Sequence, residues 1–163
     1  MSDKEEKRAL TALQAALAAE HAAVYGYGVV GGRIREGRRT EARSAYDAHR
    51  ARRDVLVREV RDLGGKPVAA AAGYALPFPV PDSEAAVRLA AELEDRVAGV
   101  YSDLVRAAVG ERRTLATEAL REAAVRAVRW RGESVAFPGL AERAATATAS
   151  ASATATAAPA PTA

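Results

Sequence analysis

Apolar side chains recur every three or four positions in four stretches of this 163-residue chain. In the first stretch the series runs Leu10, Leu13, Leu17, Val24, Tyr27 and Ile34, with Glu20 at the one position that breaks it. That spacing places the side chains on one face of a helix. The full pattern predicts four amphipathic helices, over about residues 3–36, 40–63, 82–109 and 112–131.

Residues that cap and stop helices mark most of the predicted boundaries. Gly37 is expected to end the first helix and Thr40 to cap the second. Gly64 and Gly65 follow the second helix, and Asp82 can cap the third. Gly110 and Gly132 are expected to end the third and fourth helices.

The connections between the helices differ greatly in length. The first and third are short, whereas residues 64–81 form a long, proline-containing connector. At about 3.3 Å per residue this connector can span a bundle, so the second and third helices should run parallel. We expect Tyr74, Leu76 and Phe78 to be buried against the helices. The order predicts an all-α, ferritin-like four-helix bundle with a long crossover between helices 2 and 3.

The C-terminal residues have a different composition from the helices. Residues 134–140 form a short apolar segment, and from Ala144 onward the chain contains only Ala, Thr, Ser and Pro. Such a sequence cannot bury enough apolar surface to offset the entropy of ordering. We therefore predict a bundle domain over residues 1–143 and a disordered tail over 144–163, whose removal should leave the melting temperature nearly unchanged.

Ionisable residues interrupt the apolar stripe of every predicted helix. Isolated charges in a core are costly, so these groups must pair, bind a metal or line a wet cavity. Because each lies near the middle of its helix, we expect them to converge. The candidate buried polar site comprises Glu20, Tyr46, His49, Arg53, Glu94, Glu122 and Arg126.

The spacing of these residues tests whether they form a di-iron centre. Such bundles use one Glu from each of two helices and a Glu-x-x-His motif from each of the other two. Here Tyr46 stands three residues before His49, where the motif has Glu, and Val125 follows Glu122, where it has His. If a metal binds, its ligands are Glu20, His49, Glu94 and Glu122. This set is too small for two Fe or Mn ions, so we favour a metal-free network over a single metal, and a single metal over a dinuclear centre.

His21 and the tyrosines are given structural roles. His21 directly follows Glu20 and points about 100° away from it, so it should be partly exposed or lie between helices. Tyr25, Tyr27, Tyr46 and Tyr101 are more typical of core residues with a hydrogen-bonded hydroxyl than of an electron path.

Composition excludes several classes of function. The absence of cysteine excludes disulfides and thiolate chemistry. No signal-peptide core and no membrane span is evident, which predicts a cytoplasmic protein. Eight arginines between Arg33 and Arg53 could meet phosphate, but interleaved acidic residues favour a solvated helical face over a nucleic-acid site.

Several motifs together resemble a bacterial ferritin-like domain family of unknown function that is common in GC-rich actinomycetes. They occupy residues 18–28, 46–54, 73–80, 127–132 and 137–140, within a similarity that covers about residues 10–140. The resemblance implies the ferritin-like fold and no established substrate. Tyr46 and Val125 depart from true ferritins, which argues against iron oxidation.

Three functions remain open at this point. The favoured one is a non-ferritin binding or assembly module with a buried Glu/His/Arg site and no catalytic role, which self-associates or binds an unknown protein partner. The second is a metal-binding protein or oxidoreductase with a degenerate carboxylate/His site. The third, less favoured, is nucleic-acid binding through the arginine-rich hairpin.

Overall fold

The computed structural model of the chain describes residues 2–134. Four α-helices account for most of them: α1 (Asp3–Arg33), α2 (Arg39–Asp62), α3 (Ser83–Ala107) and α4 (Gly110–Arg131). A single 3-10 turn, Glu36–Arg38, joins α1 to α2. The all-α prediction is confirmed. The predicted apolar closing segment from Val135 and the tail from Ala144 lie outside the described residues.

The helix ends follow capping chemistry at most of the predicted places. The Asp82 side chain accepts a hydrogen bond from the Ala85 amide at the start of α3, and Gly132 ends α4 with a left-handed backbone, φ 86°. Three boundaries differ from the prediction. Helix α1 ends at Arg33, and Gly37, the predicted stop, lies within the 3-10 turn. Thr40 lies in the first turn of α2, because the 3-10 turn leads directly into that helix at Arg39. Gly110 begins α4 rather than ending α3.

Contacts along the helices establish the topology. Glu20 of α1 meets His49 of α2, and the Gln14 side chain bonds to Lys66 and Val68 just beyond the end of α2. These pairings make α1 and α2 antiparallel. Tyr27 and Glu20 of α1 pair with Glu94 and Tyr101 of α3, so these two helices are also antiparallel. Helices α2 and α3 therefore run parallel, which confirms the ferritin-like connectivity.

The connector between α2 and α3 follows α1 along the bundle. It bonds to Gln14 and His21, and the Tyr74 ring lies 5.5 Å from the Tyr25 ring. Tyr74, Leu76 and Phe78 are half-buried rather than fully buried. Because the connector lies on the outside of the bundle, one side of each ring or side chain stays in solvent. Val80, at its end, is the residue that enters the core.

The core consists of two apolar clusters, one toward each end of the bundle. The first contains Leu13, Leu17, Leu56 and Leu104, and the second contains Tyr27, Val30, Leu89 and Trp130. Small residues allow the helices to approach closely. A Cβ on Gly26 would lie 2.6 Å from a Leu93 methyl group, so a side chain at this position would force Leu93 to shift. The charged residues lie between the two clusters.

Candidate functional site

Three ionisable side chains meet in the centre of the bundle and are fully buried: Glu20 of α1, His49 of α2 and Glu94 of α3. His49 lies between the two carboxylates. Its Nδ1 atom is 2.7 Å from Glu20 Oε2, and its Nε2 atom is 3.1 Å from Glu94 Oε1. Because an ionised carboxylate can only accept hydrogen bonds, both ring nitrogens must donate, and His49 is an imidazolium.

The electrostatic environment of His49 favours this charged state. Burial alone lowers the pKa of His49, but the hydrogen bonds to Glu20 and Glu94 and their negative charges outweigh that effect and raise its pKa to about 9. Burial also raises the pKa of Glu94, yet the hydrogen bond from His49 and the charges of His49 and Arg126 leave it below its ordinary value.

Two tyrosines complete the pairing in a reciprocal arrangement. Each glutamate precedes a tyrosine of its own helix by seven residues, and each tyrosine donates to the glutamate of the other helix. The Tyr101 hydroxyl lies 2.7 Å from Glu20 Oε1, and the Tyr27 hydroxyl lies 2.6 Å from Glu94 Oε1. Burial and the adjacent carboxylates raise the pKa of both tyrosines above the ordinary value, so both hydroxyls keep their protons and act as donors.

Helix α4 contributes to one side of this arrangement. The Arg126 Nε atom donates to Glu94 Oε1 at 2.8 Å, and the Trp130 indole donates to the Tyr27 hydroxyl at 2.8 Å. The Tyr27 ring also stacks on the His49 imidazole, with ring centres 5.1 Å apart. We call the seven residues the central network: Glu20, Tyr27, His49, Glu94, Tyr101, Arg126 and Trp130.

The central network is electrically balanced by its own side chains. Glu20 and Glu94 carry two negative charges, and His49 and Arg126 carry two positive charges. Buried ions that pair in this way remain stable in a low-dielectric core, provided that their hydrogen-bonding capacity is satisfied. Among the described residues, Glu94 Oε2 is the carboxylate oxygen of the network without a hydrogen-bond partner.

Three of the predicted site residues lie outside the central network. The Arg53 guanidinium bonds to its neighbour Asp54. Tyr46 is half-buried and packs against the second apolar cluster, with the Arg50 guanidinium 5.7 Å from its ring centre. Glu122 retains 43% side-chain exposure and pairs with Arg52 at 2.8 Å and with Arg126 of the central network at 3.6 Å. Glu20, His49, Glu94 and Arg126 are the predicted residues that the fold brings together.

The position of Glu122 follows from the face that α4 buries. The inward residues are Ala116, Ala119, Ala123, Ala127 and Trp130. Val125, at the position of the second ligand histidine, is 45% exposed and faces away from the centre. The helix packs through its alanines because they allow the closest approach to α3.

Sequence reasoning also left Tyr27, Tyr101 and Trp130 out of the site. Tyr27 and Tyr101 were expected to be core residues with bonded hydroxyls, and the structure shows this. The signal that assigns them to the network is the seven-residue step from each glutamate, which keeps two residues on the same face of a helix. His21 also lies as expected, partly exposed and bonded to the Val68 carbonyl at 3.2 Å.

The donor set does not fit a di-iron centre. His49 engages both ring nitrogens with carboxylates, so neither offers a lone pair to a metal. Three donors already surround Glu94 Oε1, and each Glu20 oxygen accepts one hydrogen bond. Within residues 2–134, no three carboxylate or imidazole groups are arranged to hold a metal ion. The same residues include no helix with the length and apolar character needed to cross a membrane.

Two solved structures share this architecture. A conserved hypothetical protein, rv2844, from Mycobacterium tuberculosis is 36% identical, with a TM-score of 0.75 over 80% of this chain and 98% of its own. A ferritin-like, diiron-carboxylate protein from Bacillus anthracis is 17% identical, with a TM-score of 0.57 over 81% of this chain and 93% of its own. The second shows the fold alone.

Sequence comparison identifies the family. No functionally curated protein shows significant similarity to the chain. The family described as Domain of unknown function (DUF4439) matches residues 12–142, which include all four helices except the first turns of α1. The chain therefore belongs to this family of unknown function.

Proposed function

We propose that this protein is a metal-independent ferritin-like binding module, in which the central network occupies the place of a di-iron centre and holds the four helices in register. The observation that carries the proposal is the position of His49. An imidazolium with both nitrogens bonded to buried carboxylates supplies a positive charge where a di-iron protein places metal ions.

The charges of the network support a stabilising role rather than a catalytic one. Glu20, His49 and Glu94 are fully buried, so a substrate cannot reach them without separation of the helices. The neighbouring carboxylates raise the pKa of His49 against the effect of burial, and burial together with the carboxylates raises the pKa values of the two tyrosines. General acid–base catalysts have pKa values near the working pH. The central network therefore suits a structural role within a binding module better than the catalytic centre of an oxidoreductase.

Metal dependence provides the direct test. Anything that binds the folded protein alone raises its stability by mass action. We expect the melting temperature of protein purified without an affinity tag to be equal in Fe(II), in Mn(II) and in chelator. Elemental analysis should find less than stoichiometric metal. Stoichiometric Fe or Mn, together with a lower melting temperature in chelator, would sink the proposal and favour the degenerate metal site.

The arginine-rich hairpin gives nucleic-acid binding little support. Arg38 pairs with Glu41, Arg52 with Glu122 and Arg53 with Asp54. Because carboxylates already neutralise these guanidinium groups, they do not form a continuous positive surface for the phosphate backbone of a nucleic acid. A cytoplasmic location, and association with itself or with a protein partner, stay predictions from the sequence.

A further inference from the structure

A cavity of about 700 Å³ opens on the side of the bundle between α1 and α2. Its lining residues come from three consecutive elements, the second half of α1, the 3-10 turn and the first half of α2: Tyr27, Gly28, Gly31, Glu36, Arg39, Thr40, Ala42, Arg43, Tyr46 and Arg50. We call it the α1–α2 pocket. Pockets for small ligands have volumes of about 300–1,000 Å³, so its size suits one small molecule.

Two glycines of α1, Gly28 and Gly31, have no explanation in the packing of the four helices. A Cβ on Gly28 or Gly31 would meet no atom within 4 Å, in contrast to Gly26, where it would clash with Leu93. Each glycine is less favourable than alanine in a helix interior. Gly28 and Gly31 leave bare backbone on the wall of the pocket, which is the arrangement that allows a ligand to lie close against a helix.

Positive charge dominates the same pocket. Its lining carries three arginines, Arg39, Arg43 and Arg50, against one acidic residue, Glu36, which gives a net charge of +2. Arg39 and Arg43 form ion pairs with Glu36 and Asp47, both at exposed positions. Such exposed pairs contribute little, so these guanidinium groups can turn toward a ligand. Arg50 has no acidic partner among the described residues, and its guanidinium lies over the Tyr46 ring.

We propose that the α1–α2 pocket binds a small molecule that carries a phosphate monoester. The arginines bind the phosphate, and the organic part lies on the glycines of α1 and the ring of Tyr46. A phosphate monoester has a charge of about −1.5 to −2 near pH 7, which matches the +2 of the lining, whereas a single carboxylate would leave it half neutralised. Arginine also suits phosphate oxygens because it offers several donors in one plane.

This inference deepens the proposed binding function by naming its ligand class, and it connects the pocket to the core. Tyr27 lines the inner end of the pocket while its hydroxyl donates to Glu94. Tyr27 is 1% exposed, so a ligand against Gly28 lies beside the central network without entering it. The location also separates this pocket from a general polyanion surface, because its three arginines line one concave site.

Calorimetric titration with inorganic phosphate and with phenyl phosphate tests the proposal. We expect saturable binding of both, with phenyl phosphate about tenfold tighter because its ring covers the apolar floor. Arg50→Gln should weaken both by about tenfold or more, since it removes a charge-assisted hydrogen bond. The matched control is Arg58→Gln, which removes the same charge from an exposed position of α2 outside the pocket and should leave affinity unchanged.

A second variant separates ligand binding from folding. Gly31→Leu places a side chain in the open space of the pocket and improves helix propensity. We expect this variant to melt at or above the wild-type temperature and to lose phenyl phosphate binding. A disrupted fold would instead lower the melting temperature.

Three results would overturn the inference: no saturable binding of either probe at millimolar concentration, phenyl phosphate binding that survives Gly31→Leu, or equal losses in Arg50→Gln and Arg58→Gln. Equal losses in Arg50→Gln and Arg58→Gln would indicate a diffuse polyanion surface. If both variants also lost tight binding of a DNA duplex, the ligand would be a nucleic acid. None of these depends on metal, so failure here is distinguishable from failure of the metal-independence test.

Discussion

The two glutamates of the central network have the same sequence setting but different surroundings. Glu20 accepts hydrogen bonds from His49 and Tyr101, one at each oxygen. Glu94 accepts three at a single oxygen, from His49, Tyr27 and Arg126, and its other oxygen has no partner in residues 2–134. The seven-residue step to a tyrosine is common to both, so the difference originates elsewhere.

Helix α4 creates this difference. It supplies Arg126 to Glu94 and Trp130 to the partner tyrosine of Glu94, whereas no α4 side chain bonds to Glu20 in the described part of the chain. The seven-residue spacing of Glu and Tyr on α1 and α3 produces the two reciprocal hydrogen bonds, and α4 adds the positive charge of Arg126 beside Glu94. The network thus combines a near-symmetric hydrogen-bond pattern with an asymmetric distribution of charge.

Truncation of each glutamate should reveal this asymmetry as the largest effect. Breaking a buried ion pair by removal of one partner costs about 3–5 kcal/mol. We expect Glu94→Ala to lie at the upper end, because it removes a hydrogen-bonded carboxylate from both His49 and Arg126, and Glu20→Ala at the lower end, because it removes one from His49 alone. Urea unfolding of both variants gives the two free energies of unfolding.

Matched substitutions make this comparison specific. Glu122→Ala, on a half-exposed pair with Arg52, should cost within about 1 kcal/mol. Replacement of Glu20, His49, Glu94 and Arg126 together by apolar residues of similar volume should cost less than Glu94→Ala alone, because no buried charge is then left unpaired. A harmless Glu20→Ala would contradict the existence of a buried network on that side.

The pH dependence of stability tests the residue that joins both glutamates. The folded-state pKa of His49 is about 9, above the ordinary value of 6.5. A raised pKa means that the charged imidazolium stabilises the fold fully below about pH 6.5 and that this contribution is lost as the pH rises through about 9. The difference corresponds to about 3 kcal/mol in the free energy of unfolding.

A histidine variant isolates this titration. His49→Gln should be less stable at neutral pH but should show little further loss between about pH 6.5 and 9. This pH window lies below the ordinary tyrosine pKa of 10.0, so titration of Tyr27 and Tyr101 does not change the free energy of unfolding within it. A wild-type free energy of unfolding that stays flat across this window would mean that His49 is neutral and that one carboxylate carries the proton.

Sequence alone was sufficient to predict the buried Glu20, His49 and Glu94, because a helical period assigns them to apolar stripes without ambiguity. It could not choose between Arg53 and Arg126. On α2, Arg52 and Arg53 lie three and four positions after His49, and a long arginine side chain can approach the centre from either position. In the structure Arg52 pairs with Glu122 and Arg53 pairs with Asp54, whereas Arg126 reaches Glu94 from α4.

The remaining differences have physical origins of the same kind. The inward face of α4 is made of alanines, so hydrophobicity is a weak guide to its rotation, and Glu122 with Val125 was assigned to the wrong face of the helix. The α1–α2 pocket depends on how two helices and a turn fit together. The sequence does not show that Gly28 and Gly31 face open space rather than a neighbouring helix.

The two buried tyrosines give the smallest expected effects. Comparing Tyr27 with Tyr101 separates the effect of charge from the effect of the number of hydrogen bonds. Tyr27 makes two hydrogen bonds and Tyr101 makes one. Loss of Tyr27 leaves Glu94 Oε1 with two donors and leaves the neutral Trp130 indole N–H without an acceptor, whereas loss of Tyr101 leaves an oxygen of the charged Glu20 with no donor in the described structure.

An unsatisfied buried group costs about 1–3 kcal/mol, and more when it is charged. We therefore expect Tyr101→Phe to cost about 2–3 kcal/mol and Tyr27→Phe about 1–2 kcal/mol in urea unfolding. Tyr25→Phe, on an exposed ring, should have no measurable effect. A larger loss for Tyr27→Phe would show that the number of hydrogen bonds, rather than the charge of the orphaned acceptor, determines stability at this site.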